Sequence, residues 1–277
     1  MRVTENNPYH IIKVYRQMAG KEFDFMIIRT FGVGERLRKC EKCLSERIGD
    51  NSTGRLLLLP IPTTRDGEHI NGTDIRFSEM LSEVDTDTVV AGYGIPRDVC
   101  DGIRLNGGSV LDVGSDEDFL VINADITARG ALGWILTESR KDAADLKIGI
   151  IGHGRIGKSL SRLLLFLGAK VIVYTTKAAV GEELCAAGVS ARVFPWNICD
   201  DDLDLLINTA PAKLVSADEE KRILSSAEIL DLASGRIFGE HERLTKLASI
   251  PEAFYPVSAG NVYAEKIIEF LNSEGYV

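Results

Sequence analysis

Apolar residues in this chain fall into short runs closed by glycine, alternating with stretches at helical spacing. Residues 148–177, IGIIGHGRIGKSLSRLLLFLGAKVIVYTTK, show the pattern best. The run Ile148–Ile151 reads as a strand that ends at Gly152. Ile156, Leu160, Leu163, Leu164 and Leu167 then recur on one helical face, Gly168 stops the helix, and Lys170–Tyr174 is a second strand. Upstream, Pro8–Met18 predicts a helix from Ile11, Ile12, Val14, Tyr15 and Met18. Phe23–Ile28 predicts a strand, Arg36–Ile48 a helix and Arg55–Leu59 a strand. Asp87–Ala91 and Ser109–Asp112 add strands, with a helix start at Pro96 between them. Asn123–Arg140 reads as one long helix, with Ile126, Gly130, Gly133, Trp134 and Thr137 along a face and Trp134 in the core. Downstream follow a helix at Ala179–Ala187 and strands at Ala191–Phe194, Asp204–Ile207 and Glu228–Leu232. Tyr255–Gly260 then precedes a terminal helix, Asn261–Leu271. Such alternation predicts an α/β protein with parallel sheets.

The turn between the two best strands carries chemistry. Gly152-His153-Gly154-Arg155-Ile156-Gly157 is G-x-G-x-x-G, and it lies between strand and helix in a unit of about 30 residues, as a dinucleotide fingerprint requires. Gly152 permits the tight turn, Gly154 lets backbone approach a pyrophosphate, and Gly157 lets helix and strand pack closely. The helix N-terminus adds free N–H groups and partial positive charge. NAD sites usually place an acid at the end of the second strand, about 20 residues on. Here that strand ends Thr175-Thr176-Lys177, two hydroxyls and an ammonium suited to a 2′-phosphate. With Arg155 as a second phosphate partner, NADP is expected over NAD. Thr209, Ala210 and Pro211, in the short turn after Asp204–Ile207, should face the same cofactor.

A second candidate is the loop running from Pro60 to Gly72, dense in proline, hydroxyls and charge, after the end of a strand. Arg65 can clamp a carboxylate, with Thr63 and Thr64 as hydroxyl donors. His69 and Asp66 are the candidates for proton transfer. A polar surface loop has the same composition. Arg97 and Arg129 complete the candidate set for an acidic substrate. His10 and His241 read as structural.

The chain of 277 residues can form two domains. Its net charge of −9 argues against non-specific binding to nucleic acid or anionic membrane. No apolar run approaches a membrane span, the first residues lack a signal-peptide core, and five cysteines point to reduced thiols in the cytoplasm. Cys40 and Cys43 form a single C-x-x-C without a second pair for zinc, so no metal is expected.

Taken in order, LPIPTTRDG (Leu59–Gly67), NADITARGAL (Asn123–Leu132), the fingerprint with its Thr-Thr-Lys ending, NTAP (Asn208–Pro211), DLAS (Asp231–Ser234) and PVSAG before the last helix resemble the A-type component of the dipicolinate synthase family. The resemblance implies a flavodoxin-like N-terminal domain, residues 1–122 with a returning helix at 261–277, and a Rossmann domain at 123–260. It also implies NADP, a flavoprotein-like B-type component of the synthase as partner, and oxidation of a hydroxy-tetrahydrodipicolinate in spore formation. A homo-oligomer is expected. Three positions depart from the family. The glycine-rich strand that opens the family is not evident, Ile126 replaces a proline, and Arg129 replaces a glutamate. More distantly the chain resembles D-2-hydroxyacid dehydrogenases, but Val257 stands where their catalytic histidine is expected, and valine relays no proton. The rival reading is an NADP-binding regulatory or scaffold protein that needs another chain for activity and pairs through an uncovered sheet edge.

Overall fold

A computed structural model describes residues 9–13, 26–49, 52–233 and 238–277. The chain divides into two compact α/β units, one of residues 1–123 with 255–277 and the other of residues 124–254.

The first unit is built on a five-stranded sheet whose order follows the sequence: β1 (Tyr9–Lys13), β2 (Ile27–Phe31), β3 (Arg55–Leu58), β4 (Thr88–Gly92) and β5 (Ser109–Asp112). Strands β2 to β5 run parallel. Strand β1 is antiparallel to β2, from Tyr9 opposite Phe31 to Lys13 opposite Ile27. This corrects the helix expected over Pro8–Met18, of which residue 8 and residues 14–18 lie outside the described part. Tyr, Ile and Ile in β1 favour a strand, and pairing with β2 satisfies a backbone edge that a helix would leave open. The edge of β2 is therefore covered, and β1 and β5 form the two edges of the sheet.

The two faces of this sheet are separated by the alternation of its strand residues. Leu56, Leu58, Val89 and Ala91 pack with α1 (Glu35–Arg47) and with Tyr263, Ala264, Ile267 and Leu271 of the C-terminal helix. Leu57, Leu59 and Val90 pack with α2 (Phe77–Leu81) and α3 (Arg97–Leu105). Each strand-to-strand step moves in the same direction across the sheet. Because α1 lies on one face and α2 and α3 on the other, the β2–α1–β3 connection has the opposite hand to the two that follow. β2 runs through Gly32 and Gly34 into α1. Gly32 has φ +90°, and a Cβ there would lie 3.1 Å from the Asn71 carbonyl oxygen.

Helix α4 (Glu117–Glu138) carries the chain from the first unit into the second. Contrary to the reading of apolar runs, it is long and apolar enough by length and composition to cross a membrane, and 44% of that stretch is buried within the protein. Its apolar residues divide between core and surface, with Val121, Ile122 and Leu136 exposed. Phe119 belongs to the first core, and Ala128, Ala131 and Ile135 to the second.

The second unit holds a fully parallel sheet of β6 (Lys147–Ile151), β7 (Lys170–Thr175), β8 (Ser190–Val193), β9 (Leu205–Asn208), β10 (Glu228–Asp231) and β11 (Leu244–Lys246), in the order β11-β10-β9-β6-β7-β8. The links are α5 (Arg155–Phe166), α6 (Ala178–Ala186) and α7 (Ala217–Ser226), with α8 (Ile250–Phe254) after β11. Strand order reverses between β6 and β9. The crevice outside the strand ends at such a point is where open α/β sheets bind ligands.

The last helix, α9 (Pro256–Ser273), returns to the first unit and packs on α1. It starts at Pro256, earlier than the expected Asn261, because proline suits the first helical turn. Tyr263, fully buried, donates to the Leu59 carbonyl at 3.2 Å and packs edge-on to Phe119 at 6.2 Å. That bond holds the end of β3, from which the Pro60–Gly72 loop departs. Helices α1 and α9 cross at Gly260, where a Cβ would lie 2.7 Å from the Arg36 carbonyl and 2.8 Å from the Cys40 nitrogen. Gly260→Ala is expected to destabilise the first unit by about 1–3 kcal/mol, the usual cost of overpacking. Urea unfolding should show a lower midpoint at unchanged slope.

Candidate functional site

The glycine turn has the geometry assigned to each of its residues. Gly152 follows β6 with φ +95°, a conformation a side chain would strain. Gly157, on the first turn of α5, comes so close to β6 that a Cβ would lie 2.2 Å from the Gly152 carbonyl oxygen. Gly154, between them, has open space where a Cβ would point. The turn is thus closed where helix meets strand and open where a pyrophosphate would lie, so these residues fit a dinucleotide.

Neighbouring strand ends complete the crevice. The Thr209 amide and hydroxyl both donate to the Ile151 carbonyl, at 3.0 and 2.9 Å. Thr209, Ala210 and Pro211 therefore sit beside the glycine turn, as their position after a central strand predicts. Asn208 and Asp231, both buried, join the ends of β9 and β10: the Asn208 amide donates to Asp231 Oδ1 at 2.8 Å. This polar pair escaped the sequence reading; its signal was an Asn and an Asp ending two strands whose immediately preceding residues are buried and apolar. The remaining residues of the Ala233–Gly235 turn after β10 lie outside the described residues from Ser234 on.

At the end of β7, Thr175 is buried and its hydroxyl accepts from the Lys177 amide at 3.2 Å. Thr176 and Lys177 are exposed, and Lys177 caps α6. Arg155 is exposed at the first position of α5. His153 is half-buried, with its Nδ1 buried and lacking any hydrogen-bond partner. Burial, followed by repulsion from Lys158, holds this imidazole below its usual pKa. Ile126 is buried and Arg129 exposed on α4.

In the first unit, the loop after β3 separates its candidates into structural and chemical groups. Thr63 is buried. Its hydroxyl donates to the Pro60 carbonyl at 3.2 Å and accepts from the Tyr93 amide at 2.8 Å, so this hydroxyl is spent on tying the loop to the end of β4. Thr64 donates to Asp66 at 3.2 Å and accepts from the Gly67 amide at 3.0 Å. Asp66 accepts from the amides of Glu68 and His69 at 2.9 and 2.8 Å, and its other oxygen lies 2.8 Å from His69 Nδ1. Those bonds, the His69 amide first, hold the Asp66 carboxyl well below the usual carboxylate range. Asp66 is thereby unsuited to carry a proton itself. As a carboxylate it can only accept, so His69 Nδ1 must donate to it, leaving Nε2 with the lone pair. Arg65 is exposed on the same loop, and Arg97 is exposed at the start of α3. Beside this loop, Asp112 at the end of β5 gathers the amides of Gly94, Ile95 and Gly114 at 2.8, 3.2 and 2.8 Å, a second anchor the sequence reading missed.

Other features carry no site. Trp134, expected in the core, is half-buried and lines a groove of about 380 Å³ at the opposite end of the second sheet, where Lys141 and Asp204 pair at 2.5 Å. Cys40 and Cys43 are helix residues, and burial pushes the Cys40 thiol up. Among the described residues no group of His, Cys, Asp or Glu is arranged to hold a metal ion.

Residues 129–238 match the family profile of the D-isomer specific 2-hydroxyacid dehydrogenase, NAD binding domain. The second unit carries a Rossmann-type NAD(P)-binding domain similar to that of these dehydrogenases. The fold is that of the A component of dipicolinate synthase from Bacillus halodurans, at TM-score 0.70 and 19% identity over 88% of this chain and 96% of that one. The corresponding dipicolinate synthase polypeptide from Bacillus subtilis gives 0.70 at 16% identity, over 88% and 95%. A transhydrogenase from Sinorhizobium meliloti gives 0.58 at 16% identity, over 88% and 89%. No curated protein matches the sequence. The family match places the glycine turn, β7 and the Asn208–Pro211 turn within the NAD-binding domain.

Gly154→Ala separates fold from ligand. With open space for the methyl group and φ −77°, it should leave thermal stability unchanged. It is expected to weaken dinucleotide binding by about tenfold or more, roughly 1.4 kcal/mol, in a calorimetric titration.

Proposed function

We propose that the chain is an NADP-dependent oxidoreductase acting on a cyclic dicarboxylate related to hydroxy-tetrahydrodipicolinate. The observation that carries the cofactor choice is the end of β7. Exposed Thr176 and Lys177 stand where an NAD site would hold an acid. A carboxylate there would repel a 2′-phosphate; an ammonium attracts it. The substrate class is supported by the shared fold with the dipicolinate synthase structures and by the cationic side chains Arg65, Arg97 and Arg129, which suit carboxylates.

When bound, the cofactor supplies the hydride acceptor. What this chain supplies is position and a base. The glycine turn and the N-terminus of α5 hold the pyrophosphate. His69 Nε2, oriented through Nδ1 by the ionised Asp66, takes the proton from the substrate hydroxyl whose carbon gives up its hydride. Asp66 is a positioning residue: it fixes the tautomer and stabilises the imidazolium that forms. The resemblance extends the proposal to a flavoprotein-like B-type component as partner and to a homo-oligomer.

A standard D-2-hydroxyacid dehydrogenase reaction is a poorer reading, because the position expected for its histidine is Val257, half exposed on α9.

Two measurements test the proposal. Lys177→Glu should reverse the preference, weakening NADP by about tenfold or more while leaving NAD within a factor of about three. Equal NADP and NAD affinity in the wild type, untouched by this change, would sink the NADP assignment. In a dicarboxylate turnover screen, His69→Gln should lower kcat by about 10²–10⁴ with NADP affinity unchanged. Asp66→Asn should lower it less and move the pH profile. Turnover that survives His69→Gln intact would remove His69 from the mechanism.

A further inference from the structure

His153 stands at the first variable position of the glycine turn, between Gly152 and the open Gly154. Its Nδ1 is buried and has no hydrogen-bond partner. A buried polar atom without a partner costs about 1–3 kcal/mol, and one at a binding turn calls for an explanation. The ligand expected at this turn brings what is missing: a pyrophosphate with two negative charges and several acceptor oxygens. We propose that His153 contacts the bound dinucleotide and takes up a proton as the pyrophosphate settles at the turn, so that cofactor binding strengthens as pH falls. This rests on the dinucleotide reading of the turn and adds a regulation that the reading does not require.

Two charges act on the imidazole with opposite sign. Lys158, one turn along α5, disfavours the imidazolium, and Glu183 of α6 favours it weakly. The Asn208–Pro211 turn brings no titratable group. In the free chain, burial and Lys158 keep His153 neutral near pH 7. A dianion beside it reverses the balance, since charges of opposite sign a few ångströms apart in a partly dry site favour the charged form. The sign follows from linkage. The pKa is higher in the complex than in the free chain. A proton is therefore bound on complex formation between the two values, affinity rises as pH falls through the upper value, and it levels off below the lower one.

The test is calorimetric titration of the full chain with NAD and with NADP from pH 8 to 5.5, in buffers of different ionisation enthalpy. NAD is included because it lacks the titrating 2′-phosphate. Net proton uptake is expected for the wild type with both nucleotides near pH 6.5. Affinity should tighten by about fivefold or more between pH 8 and 6, within the limit of tenfold per pH unit for one proton. His153→Gln should bind without the uptake and with a flatter profile. A second reading needs no variant: the NMR titration of His153 in the wild type should move upward on saturation with NADP. Zero proton uptake, a profile unchanged in His153→Gln, or an unmoved His153 titration would each overturn the inference while leaving dinucleotide binding intact. No binding at any pH would remove the dinucleotide reading, and this inference with it.

Discussion

The approach of α5 to β6 at Gly157 is the constraint on which the second unit depends. Backbone meets backbone there, with a Gly152 carbonyl oxygen where any Cβ would have to lie. That approach directs the first N–H groups of α5 at the space beside Gly154, and the doubly anchored Thr209 brings the end of β9 up to the same turn. The Asn208–Asp231 pair extends the arrangement to β10. A polar crevice results at the point where strand order reverses, with its donors fixed before any ligand arrives. A site organised in this way needs little rearrangement to bind, which keeps the ordering cost of binding low.

The first unit solves a related problem with side chains in place of glycines. Its loop after β3 is long and polar, yet each of its main turns is tied down: Thr63 to β4, Asn71 to Pro62 and Thr63, and Asp66 to four donors of its own loop. Tyr263 holds the strand end beneath it. The effect is to hold one imidazole, that of His69, against the Asp66 carboxylate.

Much of this was legible in the sequence. The glycine spacing and the apolar runs at Lys170–Tyr174 and Asp204–Ile207 mark out the second unit closely, because each follows from a local steric or periodic rule. The N-terminal strand was not legible. Ile11, Ile12, Val14 and Tyr15 satisfy a helical face as well as a strand, and only the pairing of Tyr9–Lys13 with β2 decides between them. Nor were Thr63 and Asp66. Composition identifies hydroxyls and carboxylates but not which of them the backbone consumes. The Thr63 hydroxyl ties the loop to the end of β4, and the Asp66 carboxylate is held by amides of its loop and by His69. Short elements of weak pattern, β11 and α8, were missed for want of periodicity.

The central claim is that the Gly152–Gly157 turn, with the end of β7, binds NADP. A crystal structure of the chain grown with NADP tests it most directly. The account predicts the pyrophosphate over Gly154 at the N-terminus of α5, with the 2′-phosphate against Thr176 and Lys177. A nucleotide seated elsewhere, or a turn left empty at saturating NADP, would contradict it.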